Sequence, residues 1–256
     1  AEAPTSITRA PTPSDDGRPR RFADFATLGD ALDFAATGIC GLNFHDPRGN
    51  LSRAYPYREL RDDARAMAAR LVAQGFKPRD RVALIAETGP EFAALFFGCI
   101  YMGAWPVPLP LPTSFGGRDA FVDQLAVQMK SADPVALFYP PELDAMASDA
   151  ARAAGTSAID WTGFAARPAP PFVAHVATPD DIAYLQYSSG STRFPHGVVI
   201  THHALLNNLA AHSHGMEVVP GDRCVSWLPW YHDMGLVGCF LSPVANQVST
   251  DYMKTE

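Results

Sequence analysis

The residues best suited to chemistry form the run 187–197, YSSGSTRFPHG. Ser188, Ser189, Gly190, Ser191 and Thr192 combine hydroxyls and closely spaced backbone N–H groups with little side-chain bulk. Glycine permits φ > 0 and close approach, so such a loop can wrap amides and hydroxyls around phosphate oxygens. Chemistry on a nucleoside triphosphate is therefore the expectation to test. The same spelling is also ordinary turn material after a strand. It lacks the Gly-x4-Gly-Lys-Ser/Thr pattern of P-loop nucleotidases and the spaced glycines of dinucleotide sites.

A second run, 227–238, reads WLPWYHDMGLVG. It places His232 and Asp233 at a turn between a strand and an apolar helix. Asp233 is suited to cap that helix through its first amides. A histidine there either fixes the turn through backbone hydrogen bonds or offers its ring to a ligand. Trp227, Trp230 and Tyr231 fit an apolar tunnel wall or ordinary core. His202, His203, His212 and His214 look dense in print. On a helix the first two point in different directions and the later pair lies more than two turns on, so zinc ligation is not expected. The adjacent pairs at 15–16, 62–63 and 180–181 are solvated aspartates without a paired-carboxylate geometry.

These residues need strands and helices to hold them. Residues 181–186 read as a strand running into the loop, 198–200 as the next strand, and Thr201 as the cap of a helix over 203–214. Residues 224–228 form a strand before the 231–233 turn, and an apolar helix starts at Met234. Upstream, a helix beginning near Thr27 turns Leu28, Ala31, Leu32 and Ala35 inward. Residues 42–44 and 53–57 fit an antiparallel pair about the turn 46–50. Tyr57, Leu60, Ala64, Met67 and Leu71 recur at three- and four-residue steps, one buried face of a helix over 58–74 that Gly75 ends. Strands at 82–85, 104–107, 135–139 and 157–161 alternate with helices at 90–103, 120–131 and 142–154. Pro90 is tolerated in a first helical turn. Pro168, Pro170 and Pro171 mark a linker. This alternation predicts an α/β fold of layered, parallel-rich sheets with flanking helices.

Composition narrows the classes. The 256 residues, 47% of them hydrophobic, can bury a large core. A net charge of −7, with no basic run beyond 18–21, argues against a nucleic-acid partner. Four cysteines without CxxC spacing read as reduced thiols, and the first 30 residues lack an apolar signal core, so a cytoplasmic setting is expected. Residues 92–117 carry no charge, but Pro106, Pro108, Pro110 and Pro112 alternate there. No helix interior tolerates that, so no membrane span is expected. Residues 1–24, rich in proline and polar side chains, are expected to be a flexible leader to the folded part, 25–256.

With these elements placed, 187–197 resembles the phosphate loop of the adenylate-forming (acyl-activating, AMP-binding) enzymes, whose pattern runs Thr/Ser-Ser-Gly-Ser/Thr-Thr-Gly-x-Pro-Lys-Gly. The run 227–238 resembles the fatty acyl-AMP ligase branch more than the acyl-CoA synthetases. Residues 80–84, with Glu91, Phe92 and the apolar run to Pro112, are similar to the family's first strand–helix–strand unit. The resemblance covers roughly residues 25–256. It implies part of the large N-terminal domain of such an enzyme, with the C-terminal domain absent. It further implies activation of a fatty acid by ATP, with Mg2+, to acyl-adenylate and pyrophosphate, followed by transfer to the phosphopantetheine thiol of an acyl carrier protein. Ser188, Ser189, Gly190, Ser191 and Thr192 would hold the β- and γ-phosphates. His232 would face the acyl-adenylate and orient the carboxylate or hold developing charge, not act as nucleophile.

Two residues depart from the family pattern. Its second loop glycine is Arg193 here, and its lysine is His196, mostly uncharged at neutral pH. Arg193 would restore a cation three positions earlier, forked onto phosphate oxygens; otherwise it is a solvated loop residue. The family's downstream acidic metal-binding motif, ribose-binding aspartate and C-terminal lysine are missing, and 248–256 shows no recognisable closing element, so the resemblance implies a fragment. Two alternatives stand beside the ligase: an acyl-CoA synthetase sharing the first step, and a non-catalytic module that binds nucleotide or a carrier protein.

Overall fold

In a computed structural model of the protein, residues 17–112, 117–187 and 196–253 are described. The chain runs α1 (Leu28–Ala35), β1 (Gly41–His45), β2 (Leu51–Pro56), α2 (Tyr57–Ala73), β3 (Arg81–Ile85), α3 (Pro90–Met102), β4 (Trp105–Leu109), α4 (Arg118–Ala132) and β5 (Ala136–Tyr139). It continues with a 3-10 turn (Pro141–Leu143), α5 (Asp144–Ala154), β6 (Ser157–Asp160), α6 (Trp161–Ala165), β7 (Ile182–Tyr187), β8 (Gly197–Thr201), α7 (His202–Gly215) and β9 (Arg223–Ser226). A π-helix (Met234–Leu241), α8 (Ser242–Asn246) and β10 (Ser249–Met253) follow.

The strands form three sheets. In the first, ordered β2-β1-β10-β9, the β1–β2 hairpin is antiparallel, as expected, and β10 runs parallel to both β1 and β9. The second, β4-β3-β5-β6, is wholly parallel. The third is the antiparallel pair β7–β8. The α/β architecture of parallel sheets and flanking helices is the predicted one.

Burial follows the sequence pattern. α3 is apolar on all sides and buried from Phe92 to Met102, as a helix without a polar face must be. α2 buries Tyr57, Leu60, Ala64, Met67 and Leu71, the stripe its periodicity predicts. Pro106 and Pro108 lie in β4, which continues two residues past the strand expected over 104–107. Trp105 N donates toward β3, to Asp80 O, so the intervening proline positions face away. β4 is an edge strand, the place a sheet tolerates proline. β7 packs beside β4 without joining its ladder, because those prolines offer no N–H to it.

Two elements correct the sequence reading. Residues 161–165 are a short helix, not the end of a strand: Asp160 caps it by accepting from Thr162 N at 2.8 Å and Gly163 N at 3.0 Å. Residues 249–253, where no closing element was expected, form β10 at the centre of the first sheet. Before it, Gln247 receives the N-terminal segment: Arg21 N donates to its Oε1 at 3.0 Å, and its Nε2 donates to Arg21 O at 2.8 Å. Among the described residues, no helix is long and apolar enough to cross a membrane.

Candidate functional site

β7 and β8, α7 and the turn into the π-helix border an open cavity of about 670 Å3. Tyr184, Gln186 and Tyr187 line it from β7, Val198 and Ile200 from β8, and Leu205, Asn208 and His212 from α7. Tyr231, His232, Asp233, Met234 and Val237 line a further side. The wall is mainly apolar with a few convergent polar groups, the usual make-up of a small-molecule site.

Local chemistry explains the turn. His232 N donates to Pro229 O at 3.3 Å, and Leu236 N donates to His232 O at 2.8 Å. Asp233 Oδ1 accepts from Met234 N at 2.8 Å and caps the π-helix, the role expected of it. Gly235 is required by close packing: a Cβ there would lie 2.1 Å from Pro229 O. The backbone of His232 is thus committed to the turn. Its ring leans on Tyr231, centroids 4.8 Å apart, and has no hydrogen-bond partner among the described residues.

The three aromatic candidates separate. Trp230 is fully buried, stacked on Phe240 at 4.4 Å and edge-on to Tyr252 at 5.0 Å, and is core. Trp227 is 65% exposed and does not line the cavity. Tyr231 does.

Ser188, Ser189, Gly190, Ser191, Thr192 and Arg193 lie outside the described residues; the strands that bracket them do not. Tyr187 faces Gly197 across the β7–β8 pair. Tyr187 Oη donates to Ser131 Oγ at 3.0 Å, and a Cβ at Gly197 would come within 3.0 Å of its ring. The last residue before the loop is therefore wedged between α4 and the first residue of β8. The cavity that contains His232 opens beside that anchor. His196 is exposed.

The sequence reading missed Gln186. Its Nε2 donates to Tyr231 O at 3.2 Å and to Tyr187 O at 3.3 Å. The available signal was a polar residue inside an otherwise apolar strand, which alternation alone reads as a solvent-facing position.

The histidines of α7 serve separate structural tasks. His202 is buried, and its Nδ1 accepts from Leu28 N at 3.1 Å. Burial pushes its pKa down to about 4, against the pull of Asp181 and Asp30. His203 pairs with Asn207, and His212 with Ser242. Among the described residues, no group of His, Cys, Asp or Glu is arranged to hold a metal ion.

Residues 44–255 match the family described as AMP-binding enzyme. A Caulobacter vibrioides protein, provisionally named acyl-CoA synthetase, is 46% identical over 251 residues, 95% of this chain and 43% of that protein. The long-chain-fatty-acid–AMP ligase FadD32 of Mycolicibacterium smegmatis is 34% identical over 227 residues, 82% of this chain and 33% of the ligase. A solved structure from a study of fatty acyl-adenylate ligases of E. coli and L. pneumophila superposes with a TM-score of 0.89 at 46% identity, over 93% of this chain and 43% of that one. The chain thus spans less than half the length of these relatives. With the loop spelling, the cavity and the turn all in one fold, the chain belongs to the AMP-binding enzyme family, and its relatives there include fatty-acid–AMP ligases.

Proposed function

We propose that the protein carrying this chain activates a fatty acid with ATP and passes the acyl group to an acyl carrier protein, residues 25–256 forming part of its large N-terminal domain. The observation that carries the reading is the shared cavity. His232, which has no polar side-chain partner among the described residues, stands on a mainly apolar wall that also contains Tyr187, the residue entering the hydroxyl-rich loop. A fatty acyl chain suits the apolar wall, and its carboxylate would lie between His232 and the loop.

In the reaction, a carboxylate oxygen attacks the α-phosphorus of ATP, the bond to the bridging oxygen breaks, and pyrophosphate leaves. Ser188, Ser189, Gly190, Ser191 and Thr192 hold the β- and γ-phosphates through amides and hydroxyls. His232 orients the carboxylate and stabilises charge as it shifts. Magnesium, when bound, neutralises charge spread over the phosphates and typically arrives on them, keeping its waters instead of using a protein cage. Arg193 adds a fixed cation. Arg193→Gly is expected to weaken ATP binding by roughly 10- to 100-fold, the loss of one charge-assisted hydrogen bond; an unchanged affinity would remove it from the site. A cytoplasmic setting, supported by four unpaired cysteines, belongs to the same proposal.

A second reading, the acyl-CoA synthetase, is favoured by the name of the C. vibrioides relative. The two part at the acceptor. The deciding experiment incubates the full-length natural protein with magnesium, labelled ATP and a panel of fatty acids, follows acyl-AMP, then adds coenzyme A or a phosphopantetheinylated carrier. Acyl-AMP that survives coenzyme A and is consumed by the carrier supports the ligase. Rapid acyl-CoA formation makes it a synthetase, and no adenylate with any acid leaves a binding module.

A further inference from the structure

Gln186 sits two positions before the loop 188–195, on β7, with its side chain buried. Its Nε2 reaches two carbonyls, Tyr187 O at 3.3 Å and Tyr231 O at 3.2 Å. A carbonyl accepts and cannot donate, so this pair fixes which way the amide points: nitrogen toward the carbonyls, oxygen away. Oε1 is buried and has no hydrogen-bond partner among the described residues. An orphaned buried acceptor is unfavourable, and an apolar side chain of the same length would avoid it. What an apolar residue could not do is hold those two carbonyls together.

The carbonyls belong to the two halves of the site. Tyr187 is the last residue before the hydroxyl-rich loop and is anchored on its far side by Ser131. Tyr231 precedes His232, and its ring packs against the imidazole. One amide therefore sets the distance from the loop's entry to the turn that presents His232.

We propose that Gln186 is a positioning residue for adenylate formation: it ties the His232 turn to the strand end that feeds the phosphate loop. The inference rests on the adenylation reading above. Without the tie, Tyr231 keeps its neighbours but loses its register against β7. The imidazole then samples positions that no longer meet a carboxylate aligned with the triphosphate. Small misplacements of this kind slow the chemical step more than they weaken binding.

The test uses the full-length natural protein with Gln186→Leu, Gln186→Glu, His232→Ala and the double variant Gln186→Leu/His232→Ala. Two readouts are taken: kcat and KM for pyrophosphate release, and the ring carbon NMR signal of His232 in histidine-labelled protein, assigned by its loss in His232→Ala. Gln186→Leu is expected to lower kcat about tenfold, roughly the worth of one hydrogen bond, with KM for ATP unchanged. Gln186→Glu, which keeps the length but has no N–H, behaves in the same way. The double variant is no slower than His232→Ala alone, because Gln186 acts through that turn. The His232 signal shifts in Gln186→Leu while those of His45 and His202 stay in place. An unchanged kcat, losses that multiply in the double variant, or an unmoved His232 signal overturns the proposal. If the wild-type protein forms no adenylate with any acid, the adenylation reading fails by itself, and the His232 signal alone then decides whether the tie exists.

Discussion

At the scale of single residues, His232 and Gly235 divide the work of one turn. Among the described residues the ring of His232 has no hydrogen-bond partner while its backbone is committed, so truncation should damage chemistry without damaging the fold. His232→Ala is expected to slow adenylate formation about 100-fold, the usual effect of removing a group that stabilises developing charge, with an unchanged thermal midpoint. Gly235 is the reverse case. The atom a Cβ would strike is a backbone oxygen, Pro229 O, which cannot swing aside as a side chain could. Gly235→Ala is expected to cost about 1–3 kcal/mol in a denaturant titration, the range for forced overpacking. The sequence showed both residues as a motif, because their types and order are local facts. It did not show Gln186, whose significance comes from a partner 45 positions away.

At the scale of elements, α7 carries a pH-dependent joint. His202, its first residue, accepts from Leu28 N at the start of α1 and must be neutral to do so. Its folded pKa of about 4 lies below the unfolded value near 6.5. Between those values the unfolded chain binds the extra proton. This contribution to stability is therefore complete above about pH 6.5, falls as pH drops toward 4, and levels off below, for a total on the order of 3 kcal/mol. Asp181 and Asp30 favour the charged ring and His175 opposes it, so the net shift follows burial. His202→Asn, which keeps an acceptor and does not titrate, is expected to flatten the stability profile over that window. An equally steep fall in the variant would assign the acid loss elsewhere.

Most helices and parallel strands were legible because apolar periodicity reports burial directly. β10 was not, and its residues show why. Ser249 and Thr250 are buried polar groups, and Asp251 sits among Asn43, His45 and Arg223. Their hydrogen bonds replace the apolar pattern by which a buried strand is recognised. The π-helix was read as an ordinary apolar helix, since nothing in its composition marks the wider winding.

At the scale of the whole molecule, the first sheet depends on β10, which supplies the parallel partner of both β1 and β9. A chain ended at residue 248 would leave both without it. Such a truncation is expected to lose amide protection along β1 and β9 in hydrogen exchange while the parallel sheet β4-β3-β5-β6 stays protected. Uniform protection in both sheets would show that β10 is dispensable. The α/β class was legible because alternation of strands and helices is written along the chain. The strand order β2-β1-β10-β9 was not, because pairing between distant segments leaves no local trace.

That same pairing has a consequence in time. Asn43 of β1 and Asp251 of β10 are 208 positions apart, and ribosomes add about 5–20 residues each second. During synthesis β1 therefore waits roughly 10–40 s for its central neighbour, with one side of its backbone open. The β3-containing sheet can close well before then, so the molecule is built from its middle outward, and the first hairpin depends on whatever shields its open edge in the interval.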